Sequence, residues 1–249
     1  MGSSRRSLGV GALRLIENLG GEEMKAKATF LCLLLLSLTA QATAAAVPWT
    51  EGVQYSRIQP AQLTGLPPGK VEVTEVFSYG CPYCNAFVPT ADALKDSLPS
   101  NAQMDYLPAS FSPAEDFPMF QRAFFTAKAL GVAERMHDAM FDAVWKTGDL
   151  AVVNLRTHEL RHPLPSMADV AAFYQRKTGI PAPKFIATAQ SFWVDSQISN
   201  CERLLRAYLV EETPCIIVNG KYRVNMQALR SPGELIRLVD WLVVQESHS

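Results

Sequence analysis

The chain has 249 residues, of which 48% are hydrophobic and 19% charged, and its formal net charge is −1 at neutral pH. These proportions fit an ordinary globular protein. Proteins that bind nucleic acid usually carry a basic face, so the near-zero charge argues against a nucleic-acid partner.

Residues 24–44 predict a secretory signal peptide. They combine a basic start, an apolar run over Thr29–Leu38 and small residues before a cleavage site after Ala44, with cleavage after Ala46 as the alternative. The apolar run is too short for a membrane-spanning helix, although a retained anchor stays open. We interpret residues 1–23, which precede this signal, as a non-native N-terminal extension.

Two predicted strands open the mature part of the chain, at Val53–Ile58 and Val71–Ser78. The second is rich in Val and Phe, as buried strands are. A short turn then leads into Cys-Pro-Tyr-Cys at positions 81–84, and Asn85–Leu98 can continue as a helix. A further strand is predicted at Ala102–Leu107.

A Cys-x-x-Cys pair at a strand-to-helix turn indicates a redox site. The helix N-terminus offers unpaired N–H groups and a positive dipole end, which stabilise a thiolate at Cys81. The spacing brings Cys84 close enough to form a disulfide with Cys81, and Pro82 suits the first helical position because it has no N–H. A structural disulfide and half of a zinc site are the alternatives. Zinc needs two more ligands with their own spacing, and we predict no metal because the sequence has no second Cys-x-x-Cys and no Cys-x-x-His.

A helical block follows the third strand. Apolar residues at helical spacing predict three helices and a short helix or turn. The helices lie at Phe117–Leu130, Ala133–Lys146 and Met167–Lys177, and the short element at Leu155–His162. A longer helix is predicted at Ser191–Leu209.

Residues 158–162 read His-Glu-Leu-Arg-His, which matches the His-Glu-x-x-His zinc pattern of metalloproteases. On a helix the two His would share a face. However, Pro163 follows at once, and no further His stands at the spacing of the longer metzincin pattern. We interpret the motif as a solvated surface turn.

Strands return near the C-terminus, at Cys215–Val218 and Lys221–Val224. The Asn-Gly pair between them is a strong hairpin signal. A final helix begins after Ser231 and runs to about Val244. The two sheet-forming parts enclose the helical block, so we predict one domain formed by residues 45–109 and 190–249, with a helical insertion at 110–189.

Glu75 and two further cysteines are candidate functional residues. Glu75 shares a strand face with three apolar residues, so we expect it to be buried with a raised pKa and able to exchange a proton. A structural pair with a Lys is the alternative. Cys201 and Cys215 could form a second disulfide, or they are two small buried thiols.

Taken in order, these motifs resemble the DsbA family of periplasmic disulfide oxidoreductases, within the thioredoxin-fold superfamily. The resemblance runs from about Glu51 to the C-terminus. It rests on the helical insertion and on three motifs, namely Cys81-Pro82-Tyr83-Cys84 after a strand, Thr213-Pro214 before the last hairpin, and the turn over Val218–Tyr222. It implies an α/β, thioredoxin-like fold with an inserted helical domain.

The resemblance also implies a function. Cys81 and Cys84 would form a redox-active disulfide that is donated to newly exported proteins, with Glu75 as a third catalytic residue. Pro82 and Tyr83 would be active-site neighbours. Thr213 and Pro214 would form a cis-proline loop that binds substrate. The protein would be a monomer without a cofactor in the periplasm of a Gram-negative bacterium, and a DsbB-like, quinone-linked membrane oxidase would reoxidise it.

Tyr83 departs from the family pattern, because the best-known members have His there. This difference predicts a less oxidising disulfide. A reductase or isomerase of the same fold therefore stays open, as does a non-enzymatic peptide-binding module with a structural disulfide.

Overall fold

The structure is a computed structural model that describes residues 49–112, 114 and 117–247. The predicted extension (1–23) and signal peptide (24–44) lie outside the described residues. Five strands are described: β1 (Tyr55–Arg57), β2 (Val71–Phe77), β3 (Ala102–Pro108), β4 (Cys215–Val218) and β5 (Tyr222–Val224). They form one sheet in the order β1-β5-β4-β2-β3. Strand β2 pairs in parallel with β3 and antiparallel with β4, so the strand that leads into the cysteine motif is inside the sheet.

Seven α-helices are described: α1 (Pro82–Ser97), α2 (Phe117–Ala129), α3 (Ala133–Trp145), α4 (Met167–Thr178), α5 (Ala182–Ala189), α6 (Phe192–Ala207) and α7 (Pro232–Ser247). Helix α1 connects the parallel strands β2 and β3, as such a pair requires. Helices α2 to α6 lie in sequence between β3 and β4. The α/β class and the helical segment within the sheet-forming chain agree with the prediction, whereas the domain boundaries at 109/110 and 189/190 stay a prediction. Among the described residues, no helix has the length and apolar character needed to cross a bilayer.

Both faces of the sheet are covered, because successive strand residues point to opposite sides. Val71 and Val73 pack with Ile216 and Val218 in a cluster that includes apolar residues of α7. Val76, Cys215 and Ile217 belong to the other cluster, which includes buried residues of α2 to α6. The sheet is therefore buried between helical layers, which explains the nearly continuous apolar sequences of β2 and β4.

The predicted hairpin is confirmed at β4 and β5. Asn219 and Gly220 both have positive φ, 52° and 62°, as a tight hairpin turn requires. A Cβ atom on Gly220 would lie 2.2 Å from the main-chain oxygen of Gln62. Position 220 therefore needs glycine both for its backbone conformation and for its contact with the preceding loop.

Glu246 of α7 ties this hairpin to the last helix. Its carboxylate accepts hydrogen bonds from Asn219 Nδ2 (2.6 Å), Lys221 Nζ (2.5 Å) and Tyr222 Oη (3.0 Å). Burial opposes ionisation, but these bonds and the charge of Lys221 lower the pKa of Glu246. A buried carboxylate with three donors is well satisfied, so it fixes the hairpin against α7.

One element differs from the sequence-based expectation. Helix α5 was not predicted, although Pro181 and Pro183 are compatible with it, because proline is well tolerated in the first turn of a helix. The segment over Leu155–His162, for which a short helix or turn was expected, is a turn with an isolated bridge between Val153 and Leu160.

Candidate active site

Cys81 lies at the junction of β2 and α1. It is the N-cap of α1, and Pro82 occupies the first helical turn. The Cys81 N–H donates to Ser78 O at 3.1 Å, which closes the preceding turn. Cys81 is nearly buried, with 6% of its surface exposed, and it lies at the start of the helix, as the sequence predicted.

Cys84 lies in the first turn of α1 and is fully buried. Both cysteines are free thiols, so the structure describes the dithiol form. Their neighbours Pro82 and Tyr83 are exposed, and 75% of the Tyr83 surface is accessible. The motif therefore combines a slightly accessible cysteine, a fully buried cysteine and an exposed aromatic side chain between them in sequence.

The pKa values of the two thiols shift in opposite directions. The pKa of Cys81 is lowered to about 6, and the main cause is a hydrogen bond from Cys84. Burial acts in the opposite direction and raises this pKa. Hydrogen bonds from the Thr213 side chain and from the backbone N–H groups of Cys84 and Tyr83 lower it further. Burial is the main cause that raises the pKa of Cys84 far above its ordinary value, and the neighbouring Cys81 adds to it. At neutral pH, the dithiol form therefore carries a thiolate at Cys81 and a protonated thiol at Cys84.

The Thr213–Pro214 segment lies beside this pair. Its peptide bond is cis, in agreement with the resemblance, and Thr213 O lies 3.4 Å from Cys81 Sγ, which donates to it when the thiol is protonated. Pro214 lines a groove of about 590 Å³, together with Cys215 and the exposed side chains of Val53 and Leu209. The fold thus brings a segment 132 residues away in sequence to the redox motif, and Pro214 of that segment also lines the groove.

Glu75 is buried in the middle of β2, with 1% of its surface exposed. Among the described residues, its Oε2 atom has no hydrogen-bond partner. Burial is the main cause that raises the pKa of Glu75 to about 8, and the charge of Asp92 adds to it. Among the described residues no Lys forms an ion pair with Glu75, and with its raised pKa the carboxyl is largely protonated at neutral pH.

Cys201 and Cys215 are both free and buried, as are Cys81 and Cys84 in this reduced form, so the second disulfide stays a prediction. Cys201 Sγ donates to Pro108 O at the end of β3 (3.1 Å), whereas Cys215 begins β4. Strand β2 separates β3 from β4, so the main-chain atom that Cys201 contacts lies two strand spacings, each about 4.8 Å, from β4. The interpretation as two buried thiols agrees with the structure.

The His-Glu-x-x-His motif does not form a zincin helix. His158 has a positive φ of 61° in a turn, so the two His do not share a helical face. In the part of the chain that the structure describes, no group of three or more His, Cys, Asp or Glu side chains is arranged to hold a metal ion.

Sequence reasoning missed three residues around the turn before Cys81. The hydroxyl of Tyr79 is hydrogen-bonded to His137 Nδ1 at 3.1 Å, and Trp145 Nε1 donates to the main-chain oxygen of Tyr79 at 2.8 Å. A signal was present in His137, which interrupts the apolar spacing of α3, but nothing in the sequence connects it with Tyr79.

Comparisons with known proteins agree with this geometry. The thiol:disulfide interchange protein DsbA of Pseudomonas aeruginosa is 31% identical over 219 residues, which cover 86% of this chain and 96% of that protein. DsbA of Pseudomonas syringae pv. tomato is 32% identical over 214 residues, which cover 86% of this chain and 92% of the relative. The crystal structure of the oxidoreductase DsbA from Xylella fastidiosa matches with a TM-score of 0.69 and 27% identity, over 81% of this chain and 99% of that one.

No protein-family model matches the sequence. The relatives nevertheless exceed 30% identity over nearly their whole length, and the solved structure has the same thioredoxin-like fold with a helical insertion. The chain therefore belongs to the DsbA family of thiol:disulfide interchange proteins, which are oxidoreductases.

Proposed function

We propose that Cys81 and Cys84 are the redox pair and that their disulfide is transferred to cysteine thiols of exported proteins. A substrate thiolate attacks Cys81 Sγ, which forms a mixed disulfide and breaks the Cys81–Cys84 bond, with the electron pair leaving on Cys84. A second substrate thiolate attacks the substrate sulfur of the mixed disulfide, and Cys81 leaves as a thiolate. Two electrons pass from the substrate to the pair, and the substrate gains one disulfide.

The opposite pKa shifts of the two thiols carry this proposal. A thiol with a lowered pKa is the better leaving group, and the more accessible sulfur is the one attacked. Cys81 meets both conditions, because it is the N-cap of α1 and its pKa is lowered to about 6. Stabilising its thiolate stabilises the reduced enzyme, so the disulfide becomes an oxidant.

Glu75 is proposed as the proton source for Cys84. Because burial raises the pKa of Cys84, this sulfur has to take up a proton after the disulfide breaks. Glu75 is buried, with a pKa of about 8 and one oxygen without a hydrogen-bond partner among the described residues. It is therefore protonated at neutral pH and able to release its proton without first breaking a bond at that oxygen.

The groove beside Pro214 is proposed to hold the substrate segment around the reacting cysteine. An extended chain can pair with exposed main-chain groups in the manner of an added strand, and Thr213 already presents its main-chain oxygen toward Cys81. The exposed Tyr83 adds an aromatic surface at the edge of the site.

The location and partners are proposed from the family. The relatives are named thiol:disulfide interchange protein DsbA. We infer that this chain acts as a monomer in the periplasm of a Gram-negative bacterium after removal of residues 24–44. A DsbB-like, quinone-linked membrane oxidase would restore its disulfide, with no bound cofactor in the chain itself.

Reductase or isomerase activity is the second candidate, because Tyr83 replaces the His of the best-known members and lacks an imidazole beside the sulfurs. The non-enzymatic peptide-binding alternative is not supported, since the curated relatives are interchange proteins. An oxidase and a reductase differ in how readily their disulfide is reduced, and this equilibrium can be measured directly.

The test is an equilibration of the Cys81–Cys84 pair against a glutathione series, together with oxidation of a reduced, unfolded protein. We expect the Cys81–Cys84 disulfide to be reduced at a glutathione redox potential at which thioredoxin-type disulfides remain oxidised. Cys81→Ser should abolish oxidation of the protein substrate, whereas Cys201→Ser, the matched control at a buried thiol outside the site, should retain it. A pair as hard to reduce as that of thioredoxin would favour the reductase.

A further inference from the structure

Tyr79, two residues before Cys81, is held by one face of α3. Its hydroxyl is hydrogen-bonded to His137 Nδ1 at 3.1 Å, and its main-chain oxygen accepts a bond from Trp145 Nε1 at 2.8 Å. Its ring packs edge-on against Phe141, with the ring centroids 5.0 Å apart. His137, Phe141 and Trp145 are spaced four residues apart on one side of the helix, and we call them the Tyr79-binding face of α3.

These contacts are made inside the protein. Tyr79 is 1% exposed and His137 is 7% exposed. Burial is the main cause that lowers the pKa of His137 to about 3 and raises the pKa of Tyr79, so both groups are neutral near pH 7. When either partner of a hydrogen bond between two neutral buried groups is removed, the other is left unpaired at a cost in free energy. The hydrogen-bonded arrangement of Tyr79 and His137 is therefore strongly preferred over one in which the two groups are apart.

The segment held in this way is the turn that delivers Cys81 to the helix. The Gly80 N–H donates to Ser78 Oγ at 3.2 Å, and the Cys81 N–H donates to Ser78 O at 3.1 Å. The main-chain oxygen of Tyr79 belongs to the same peptide plane as the Gly80 N–H, so the bonds from Trp145 and to Ser78 together fix the direction of that plane. The position of the Cys81 sulfur relative to the N–H groups of α1 depends on this turn.

We propose that the Tyr79-binding face of α3 is a positioning element that keeps the turn in the geometry in which the first helical N–H groups and Cys84 meet the Cys81 sulfur. The helical insertion then contributes to the geometry of the active site as well as packing on the sheet. The inference rests on the proposed function, because it assumes that Cys81 is the reacting sulfur. His137 and Trp145 are positioning residues, since they act through Tyr79 and touch neither sulfur.

The test uses two conservative variants of the full chain, each with a matched control. Trp145→Phe removes the bond to the Tyr79 main chain, and Trp193→Phe changes the same residue type at a half-exposed position on α6. Tyr79→Phe removes the bond to His137, and Tyr174→Phe removes a buried hydroxyl that has no hydrogen-bond partner among the described residues. The readouts are the Cys81 pKa, from the ultraviolet absorbance of the thiolate, and the equilibrium with glutathione.

Each variant at the Tyr79 contact should raise the Cys81 pKa by about half a unit, which corresponds to an about threefold shift of the glutathione equilibrium toward the disulfide near neutral pH. The two control variants should leave both values unchanged. A folded Trp145→Phe or Tyr79→Phe protein with a lower melting temperature but an unchanged or lower Cys81 pKa overturns the inference, because the contact would then be merely structural. Because the two variants remove different hydrogen bonds, either variant that folds is sufficient to test the inference.

The wild-type protein separates this inference from the proposed function. If wild-type Cys81 titrates near the ordinary value of a thiol, the proposed function fails, and the positioning role fails with it. If wild-type Cys81 titrates well below that value and the variants do not differ from it, the positioning role alone is wrong.

Discussion

The stability of the reduced protein should increase with pH relative to the oxidised protein between about pH 6 and about pH 9. In the dithiol form, the pKa of Cys81 is lowered from 9.0 to about 6. The folded state therefore binds fewer protons than the unfolded state in this range, and stability rises with pH. The oxidised protein has no thiol at positions 81 and 84, so it lacks this dependence.

The size of the effect follows from the shift. Each pKa unit corresponds to about 1.4 kcal/mol, so one pH unit above the folded pKa the thiolate stabilises the reduced protein by about 1.4 kcal/mol. The contribution grows to at most about 4 kcal/mol near pH 9, where the thiol of the unfolded chain also ionises. At still higher pH it should fall again, because the raised pKa keeps Cys84 protonated in the folded state while the unfolded chain loses that proton.

Urea unfolding of both redox forms at a series of pH values measures this difference. Carboxylates and His residues that titrate alike in the two forms cancel when the free energies of unfolding are subtracted. A difference that does not change between about pH 6 and about pH 9, or an oxidised form that is the more stable throughout, would refute the reasoning that a stabilised Cys81 thiolate makes the disulfide an oxidant.

Three substitutions give further predictions. Cys84→Ala should raise the Cys81 pKa by more than about one unit, because it removes the main hydrogen bond to the thiolate, and absorbance titration measures it. Glu75→Gln should stabilise the protein increasingly between about pH 4.5 and about pH 8, by on the order of 2–3 kcal/mol at neutral pH. The reason is that the native carboxyl has a raised pKa of about 8, so folding in this range must protonate a carboxylate that is ionised in the unfolded chain; denaturant unfolding against pH measures the effect. Gly220→Ala should destabilise the protein by about 2 kcal/mol or more in thermal unfolding, because of its positive φ and a 2.2 Å approach to Gln62 O.

Each substitution has a comparison that isolates its cause. Cys84→Ser keeps a donor beside Cys81, so a pKa change as large as that of Cys84→Ala would contradict the hydrogen-bond argument. A Glu75→Gln protein whose stability depends on pH exactly as the wild type does would show that Glu75 does not titrate with a raised pKa. Gly233→Ala changes a partly buried glycine whose added Cβ would meet no atom closer than 3.5 Å. A similar loss of stability there would show that the Gly220→Ala loss does not come from the positive φ or the contact with Gln62.

The sequence alone determined the features that depend on neighbouring residues. The apolar run of β2, the proline after Cys81 and the Asn-Gly pair at 219–220 are local signals, because strand burial, helix capping and turn conformation are set within a few residues. They gave the order of strands and helices, the redox motif at the start of a helix, and the hairpin. The resemblance to a family then added the cis bond at Pro214.

Only the tertiary structure decided which distant groups meet. It brought Thr213 to Cys81 and α3 to Tyr79, and it left one oxygen of Glu75 without a partner among the described residues. It also put β2 between β4, which begins with Cys215, and the end of β3, where Cys201 of α6 contacts Pro108. Such contacts join residues that are far apart in the chain, and they depend on how the helices pack on the sheet. Residue types and their local spacing do not specify which distant residues meet. The identity of the sulfurs was therefore readable from the sequence, whereas their electrostatic surroundings were fixed by packing.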